Sequence, residues 1–206
     1  MTQHLRLTAA DSDGALDASI QWSAEDGPEP MLVHAITVPL GPVRLGEQSD
    51  DESVLRLHSI RFDVRSWREL AGRSFSFRHV VREIEAEGES LPIYDIYGSL
   101  RLGDAYHEVI ASGITFGRYD GCRVTATLEG RVESIDHPPG FDPTDFTCDA
   151  TLTLGPVTVR GDLGSTTVPA AAEAERLAQQ LLRTDDYGEP RDRRGVVVLE
   201  PSCRGG

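Results

Sequence analysis

The last three residues of the chain, Arg204, Gly205 and Gly206, are the ones whose types and spacing are best suited to chemistry. Two glycines carry no side chains, so this stretch can thread a narrow channel and leave the terminal carboxylate unhindered. Such a carboxylate is accessible for attack on a nucleotide phosphate or for transfer to a thiol. The Arg204 guanidinium adds a bidentate contact for carboxylates on a partner. We therefore predict that Arg204, Gly205 and Gly206 form a working tail.

Elsewhere the sequence offers acid–base groups without the spacing of a catalytic or metal-binding motif. The candidates are the run 106–108 (Tyr-His-Glu) and the carboxylates Asp142, Asp145 and Asp149, but carboxylates in an acidic protein more often form a solvated face. The six histidines are scattered without ligand spacing, at positions 4, 34, 58, 79, 107 and 137. The sequence predicts neither an enzyme nor a bound metal or cofactor.

The charge of the chain is unusual in both its size and its composition. There are 34 acidic residues against 20 cations, a net charge of −14, and all 20 cations are arginine. This charge repels phosphate backbones and anionic lipid headgroups, so we expect neither nucleic acid nor a membrane as a partner. The absence of lysine fits the codon bias of a GC-rich genome. It also fits a protein that a free ε-amine would harm, because lysine is an acceptor for acylation and arginine is not.

The cysteines and the N-terminus bear on the cellular compartment. Cys122, Cys148 and Cys203 are odd in number and widely spaced, which is typical of neither a disulfide framework nor a metal site. Cys122 stands beside Arg123, a cation that could activate its thiol, but its strand pattern favours a small buried hydrophobe. The first ten residues lack the apolar core of a signal peptide. We expect reduced thiols and a cytoplasmic protein.

Alternating apolar residues predict strands through the first two-thirds of the chain. Met31–Pro39 is a β-branched run that the Gly41-Pro42 turn joins to Val43–Leu45. Val54–Val64 changes phase near His58-Ser59, which predicts a β-bulge. Similar patterns include Phe75 and Phe77, Ile96 to Leu102, and Val124 to Val132. They favour a sandwich, a barrel or stacked sheets, as one antiparallel β-rich domain over residues 1–140.

The last third of the chain predicts a smaller unit. His137–Asp149, with three prolines, is the strongest linker candidate. Ala150–Leu154 and Val157–Arg160 then flank Gly155-Pro156 as a hairpin-like pair. A helix follows, with Thr167 as its N-cap, Pro169 in its first turn and an apolar stripe made of Ala171, Ala174, Leu177, Ala178, Leu181 and Leu182. A final strand, Gly195–Glu200, completes a mainly β (α+β) fold: residues 1–140, a β-β-α-β unit over 145–201 and a flexible tail over 202–206.

The tail resembles that of a ubiquitin-like modifier. Arg204, Gly205 and Gly206 match the Arg-Gly-Gly ending of ubiquitin, and the β-β-α-β order over 145–201 is similar to a β-grasp unit. Bacterial modifiers of this kind accompany E1, E2 and deubiquitinase-like partners in antiviral operons. The resemblance implies that an E1-like enzyme adenylates Gly206 with ATP and Mg, that the chain passes through cysteine thiols, and that it forms an amide on a target protein. An E2-like enzyme and a JAB-type peptidase are the further implied partners.

Two other classes of protein remain open. An acidic immunity protein, or another protein-binding β-sandwich, would neutralise a basic partner through electrostatic steering; this explains the charge but not the tail. A β-sandwich accessory domain without a working tail is the third alternative. Edge strands in so β-rich a chain also lead us to expect self-association into a homo-oligomer.

Overall fold

The chain folds mainly as β-structure, as the sequence predicts. The structure is a computed structural model and describes residues 4–22, 29–78, 82–86, 89–93, 96–135, 140–160, 170–193 and 196–203, with backbone alone at 82–86 and 89–93. Its strands are His4–Thr8 (β1), Gly14–Gln21 (β2), Met31–Pro39 (β3), Val43–Leu45 (β4), Gln48–Asp50 (β5), Val54–Ile60 (β6), Ser74–Ser76 (β7), Arg82–Ala86 (β8), Glu89–Ile93 (β9), Tyr97–Leu102 (β10), Ala105–Asp120 (β11), Arg123–Glu133 (β12), Thr144–Arg160 (β13), Arg191–Arg193 (β14) and Val196–Leu199 (β15).

Helices are few in the described part of the chain. They are the α-helix Ala171–Leu181 (α1) and two 3₁₀ helices, Trp67–Leu70 and Thr184–Asp186. With eleven residues, α1 is much shorter than a bilayer is thick, so none of the described helices could span a membrane.

Seven strands close into a ring, which we call the barrel. They follow one another in the order β12-β11-β10-β6-β3-β2-β13, and a further pairing of β12 with β13 joins the two ends. Neighbours in the ring are antiparallel, except that β2 runs parallel to β13. β1 pairs in parallel with the first part of β13 and β15 pairs antiparallel with its last part. β13 therefore pairs with β1, β2, β12 and β15.

The interior of the ring is filled by a single hydrophobic cluster. Along β12 the alternate residues Val124, Ala126, Leu128 and Val132 are buried, as their period of two predicts. Gly130 occupies the remaining inward position, where a Cβ would lie 2.5 Å from the carbonyl oxygen of Ile110. Glycine is required there because neighbouring backbones approach too closely for a side chain.

The β-bulge predicted near His58-Ser59 is confirmed. Ser59 has a φ of 56°, in the left-handed region. The register between β3 and β6 shifts at the same place, since His34 pairs with Ile60 but Ile36 pairs with Leu57. The extra residue in β6 explains why the apolar pattern changes phase.

The hairpin expected around Gly155-Pro156 is wrong. Thr144–Arg160 is one continuous strand, and its pairing with β2 shifts register between Leu154 and Val157. Proline is tolerated at such a bulge because the ladder needs no N–H there. Part of the expected linker is also strand, because after Pro143 the buried residues Phe146 and Cys148 already follow a period of two.

The end of the chain contains the predicted helix and final strand, but in a different order of elements. Ala174, Leu177 and Ala178 form the buried stripe of α1, and the buried Leu182 follows as its C-cap. The predicted N-cap Thr167 lies outside the described residues. Among the described residues of 145–201, a single strand, β13, precedes α1 and two follow it, so the β-β-α-β order is wrong and a β-grasp unit is not confirmed. Because β13 pairs with β1, β2 and β12, one sheet crosses the expected boundary between 140 and 145. A separate unit over 145–201 stays a prediction.

Candidate functional site

The predicted conjugation residues Arg204, Gly205 and Gly206 lie outside the described residues. The site is therefore built from the residues that precede them, Glu200–Cys203, which we call the C-terminal segment. This segment continues from β15, whose pairing with β13 fixes its starting point. The contacts of the C-terminal segment determine where a working tail would begin.

Backbone hydrogen bonds hold the C-terminal segment against residues 186–188. The amide of Gly188 donates to the carbonyl oxygen of Glu200 at 2.8 Å, and the amide of Ser202 donates to that of Asp186 at 2.8 Å. Between these two bonds, Tyr187 and Pro201 form an antiparallel bridge. The segment is thus held like a short strand, although Pro201 has no amide N–H of its own.

The side chain of Asp186 is the centre of a polar cluster beneath the segment. Ser66 Oγ donates to Asp186 Oδ2 at 2.5 Å, and Arg68 Nε donates to Asp186 Oδ1 at 2.7 Å. Trp67 Nε1 donates to the Asp186 carbonyl oxygen at 3.1 Å. Arg68 Nη2 also donates to the Ser202 carbonyl oxygen at 3.0 Å. We call Ser66, Trp67, Arg68, Asp186 and Ser202 the Asp186 cluster; its charged hydrogen bonds connect the barrel to the C-terminal segment.

Local sequence explains how the 3₁₀ helix Trp67–Leu70 presents these groups. Ser66 is its N-cap, and Ser66 Oγ accepts a hydrogen bond from the Arg68 amide at 3.1 Å. The Arg68 guanidinium lies over the Trp67 ring, 4.2 Å from its centroid, which helps to fix its direction. Trp67 and Leu70 anchor the 3₁₀ helix in the core.

A disulfide between Cys122 and Cys203 fixes the last described residue of the segment. Their Cα atoms are 5.1 Å apart although 81 positions separate them in sequence. Cys122 follows Gly121, whose φ of 61° forms the β11–β12 turn. The expectation of reduced thiols is therefore wrong for this pair, because the fold brings together two cysteines that sequence spacing could not relate. Cys148 is the free cysteine among the described residues, and burial raises its pKa to about 11.

Aromatic side chains support the C-terminal segment from the core. The rings of Trp67 and Tyr119 meet edge to face with centroids 4.7 Å apart, and burial raises the pKa of Tyr187 to about 12. His34 and Pro201 help to line a small cavity of about 20 Å³. Burial of His34 lowers its pKa to about 4, so its imidazole is neutral at pH 7.

Among the other candidate residues, His107, Asp145 and Asp149 have partners in the structure. His107 Nε2 lies 2.6 Å from Gln48 Oε1 in the core. Asp145 forms an ion pair with Arg131, and Asp149 forms one with Arg6. Tyr106 and Asp142 are exposed, and burial raises the pKa of Glu108. His79 and His137 lie outside the described residues. Within the described part of the chain, no group of three or more His, Cys, Asp or Glu side chains is placed to hold a metal ion.

The Asp186 cluster was not predicted from the sequence. The motif that could have drawn attention to it is Ser66-Trp67-Arg68, a capping residue followed by an aromatic residue and a cation, but its partner is about 120 positions away. Nothing in the sequence pairs Asp186 with it.

Comparisons of the chain with protein-family models, with curated proteins and with solved structures find no match. What the chain can do must accordingly be argued from its own residues. The arrangement around Glu200–Cys203 holds a chain segment in place. The C-terminal segment can therefore position the residues that follow Cys203.

Proposed function

We propose that the protein is a ubiquitin-like modifier whose working group is the carboxylate of Gly206. An E1-like enzyme would adenylate this carboxylate with ATP and Mg, and an E2-like enzyme would carry the chain to an amine of a target protein. A JAB-type peptidase would remove it again. The protein itself is not the enzyme in this scheme, and its compartment would be the cytoplasm, in a bacterial antiviral system.

One observation carries the proposal: the chain is fixed on the barrel up to Cys203, immediately before Arg204, Gly205 and Gly206. Three residues in extended form reach roughly 10 Å. A folded body followed by a glycine-ended extension suits an enzyme that must recognise the body and receive the carboxylate in a narrow channel.

The composition of the chain supports the same proposal. All 20 cations are arginine, including those that pair with Asp13, Asp145 and Asp186. A modifier with an activated carboxylate and no ε-amine cannot be conjugated to its own lysines. Lysine-linked chains of the protein are excluded for the same reason.

The decisive test mixes the purified protein with ATP and the E1-like enzyme encoded beside its gene. Intact mass spectrometry then follows an adenylate, a thioester or a conjugate through Gly206. A chain lacking Gly205 and Gly206 should form none of these, whereas an Arg118→Gln variant, changed at an exposed site of β11, should react as wild type does. Equal behaviour of the wild-type and truncated chains would refute the proposal.

An acidic binding protein is the second candidate, and its support is electrostatic. The net charge is −14, and Asp11, Asp51 and Glu52 line an open groove of about 590 Å³. Such a surface would attract a basic partner with an association rate that falls steeply as salt is added. Binding of this kind would be unaffected by removal of Gly205 and Gly206, and that difference distinguishes the two candidates.

A further inference from the structure

The Cys122–Cys203 disulfide attaches the C-terminal segment to the barrel directly before the tail. Cys203 is the last described residue, and Arg204, Gly205 and Gly206 follow it directly. Cys122 belongs to the β11–β12 turn of the closed ring, so the bond attaches the C-terminal segment to the ring. Other attachments of this segment include the hydrogen bonds at Glu200 and Ser202, the Tyr187–Pro201 bridge and the ion pair of Glu200 with Arg193.

We propose that this disulfide is a redox latch on the C-terminal segment, a regulation that rests on the proposed function. While the bond is intact, the segment is locked and the tail is short. A dithiol reductant attacks one of the two sulfur atoms, the Cys122–Cys203 bond breaks, and the reductant leaves as its own disulfide while each cysteine gains a hydrogen. The released segment then extends the tail.

The difference in reach is large compared with the size of a catalytic channel. With the latch closed, three residues extend roughly 10 Å beyond Cys203. When the latch is open and the segment separates, the seven residues from Glu200 to Gly206 extend roughly 24 Å. The hydrogen bonds that remain after reduction are individually weak, so they permit local opening that a covalent bond forbids.

The latch would follow the redox state of the cell. Cytosolic reductants keep thiols reduced, so a cytoplasmic chain would have a long, available tail, and oxidising conditions would shorten it. Cys148 takes no part because it is completely buried and its pKa is raised to about 11. It therefore serves as the matched control.

Amide hydrogen exchange of the full-length protein tests the latch without any enzyme. Reduction should accelerate exchange at Ser202 by at least about tenfold, whereas the Gly103 amide, bonded to Asp50 at a distant turn, should be unchanged. Cys122→Ser should exchange rapidly at Ser202 in every buffer, and Cys148→Ala should behave as wild type. Thiol titration in denaturant should find one free thiol before reduction and three after it. Equal exchange at Ser202 in both redox states, or three thiols before reduction, would overturn the latch.

Failure of the latch and failure of the modifier proposal give different results. Thioester formation with the E1-like enzyme is compared between Cys122→Ser and Cys148→Ala in one buffer without reductant, because a dithiol would also cleave the enzyme thioester. The latch predicts several times more thioester with Cys122→Ser. Equal amounts would overturn the regulation while supporting the modifier. No thioester with either variant, together with the exchange difference, would refute the modifier and leave the latch intact. If Cys148→Ala fails to fold, oxidised wild type replaces it.

Discussion

Arg68 Nε lies 2.7 Å from Asp186 Oδ1, and the same guanidinium reaches the carbonyl oxygen of Ser202 at 3.0 Å. One side chain thus connects the 3₁₀ helix beside the barrel, the buried carboxylate and the C-terminal segment. The side chain of Asp186 is 11% exposed and that of Arg68 is 43% exposed, so solvent weakens the pair only in part.

Arg68→Ala should therefore lower the free energy of unfolding by about 1–3 kcal/mol, with the partial exposure of Arg68 keeping the loss below that of a fully buried pair. The free energy of unfolding of Arg68→Lys should lie between those of wild type and Arg68→Ala. A lysine ammonium lacks the planar fork with which the guanidinium bonds Asp186 and Ser202 together. The measurement is urea unfolding at pH 7. Arg176→Ala removes an exposed pair with Glu173 and serves as the control, with little change expected. An Arg68→Ala loss no larger than that of Arg176→Ala would contradict the account of the cluster.

Acid should destabilise the protein through His34. The unfolded chain binds a proton on this residue near pH 6.5, but the buried imidazole has a pKa of about 4. Stability is therefore lost as the pH falls from 6.5 to 4, by roughly 3 kcal/mol over the whole window. His34→Gln should flatten this part of the curve in urea titrations at pH 7 and pH 5. His58→Gln, at an exposed position, should keep most of the slope. An unchanged slope in His34→Gln would show that another group is responsible.

The pair Glu108 and Glu133 should weaken the barrel at neutral pH. The two residues are opposite each other on β11 and β12, and burial, followed by the charge of Glu133, raises the pKa of Glu108. The stability linked to this raised pKa is complete below the ordinary glutamate value and is lost as the pH rises through the raised one. Glu133→Gln should raise the free energy of unfolding at pH 7 because it removes the repulsion of Glu108. The gain should be only a few tenths of a kcal/mol, since solvent screens the pair, and it should vanish in acid, where Glu108 is protonated. Glu47→Gln is the control; an equal gain there would indicate a general charge effect.

Introducing an amine tests why lysine is absent. In the presence of the E1-like and E2-like enzymes, Arg118→Lys should collect self-conjugates that wild type lacks, because the new ε-amine can accept the Gly206 carboxylate. Arg118→Gln should collect none. Mass spectrometry of the product identifies the acceptor. If active enzymes conjugate a target but never the Arg118→Lys chain, the missing lysines reflect codon bias.

Local patterns determine those parts of the fold that were predicted correctly. The strand Met31–Pro39, the bulge at Ser59 and the inward residues of β12 follow from periodicity within a few residues. The interpretation failed at Gly155-Pro156 because the sequence alone cannot distinguish a turn from a bulge that neighbouring strands impose. The sequence also contains no local signal for the parallel pairing of β2 with β13, whose paired residues are about 140 positions apart.

Part of the candidate site could be predicted from the sequence and part could not. Arg204, Gly205 and Gly206 are recognisable from residue types, since their chemistry depends on the covalent chain. The Asp186 cluster and the Cys122–Cys203 disulfide depend on three-dimensional proximity between residues 81 to 134 positions apart. Only the closed ring and the return of β15 along β13 bring them together.

The most direct test of the central claim looks for the tail on another protein. Trypsin cleaves after arginine, so digestion of a conjugate would cut at Arg204 and leave Gly205-Gly206 attached to the target amine. Peptides bearing this remnant should occur in native cells that produce the full chain and be absent when the gene encodes a chain without Gly205 and Gly206. If the same modified peptides, or none, are found in both strains, the carboxylate of Gly206 is not the working group.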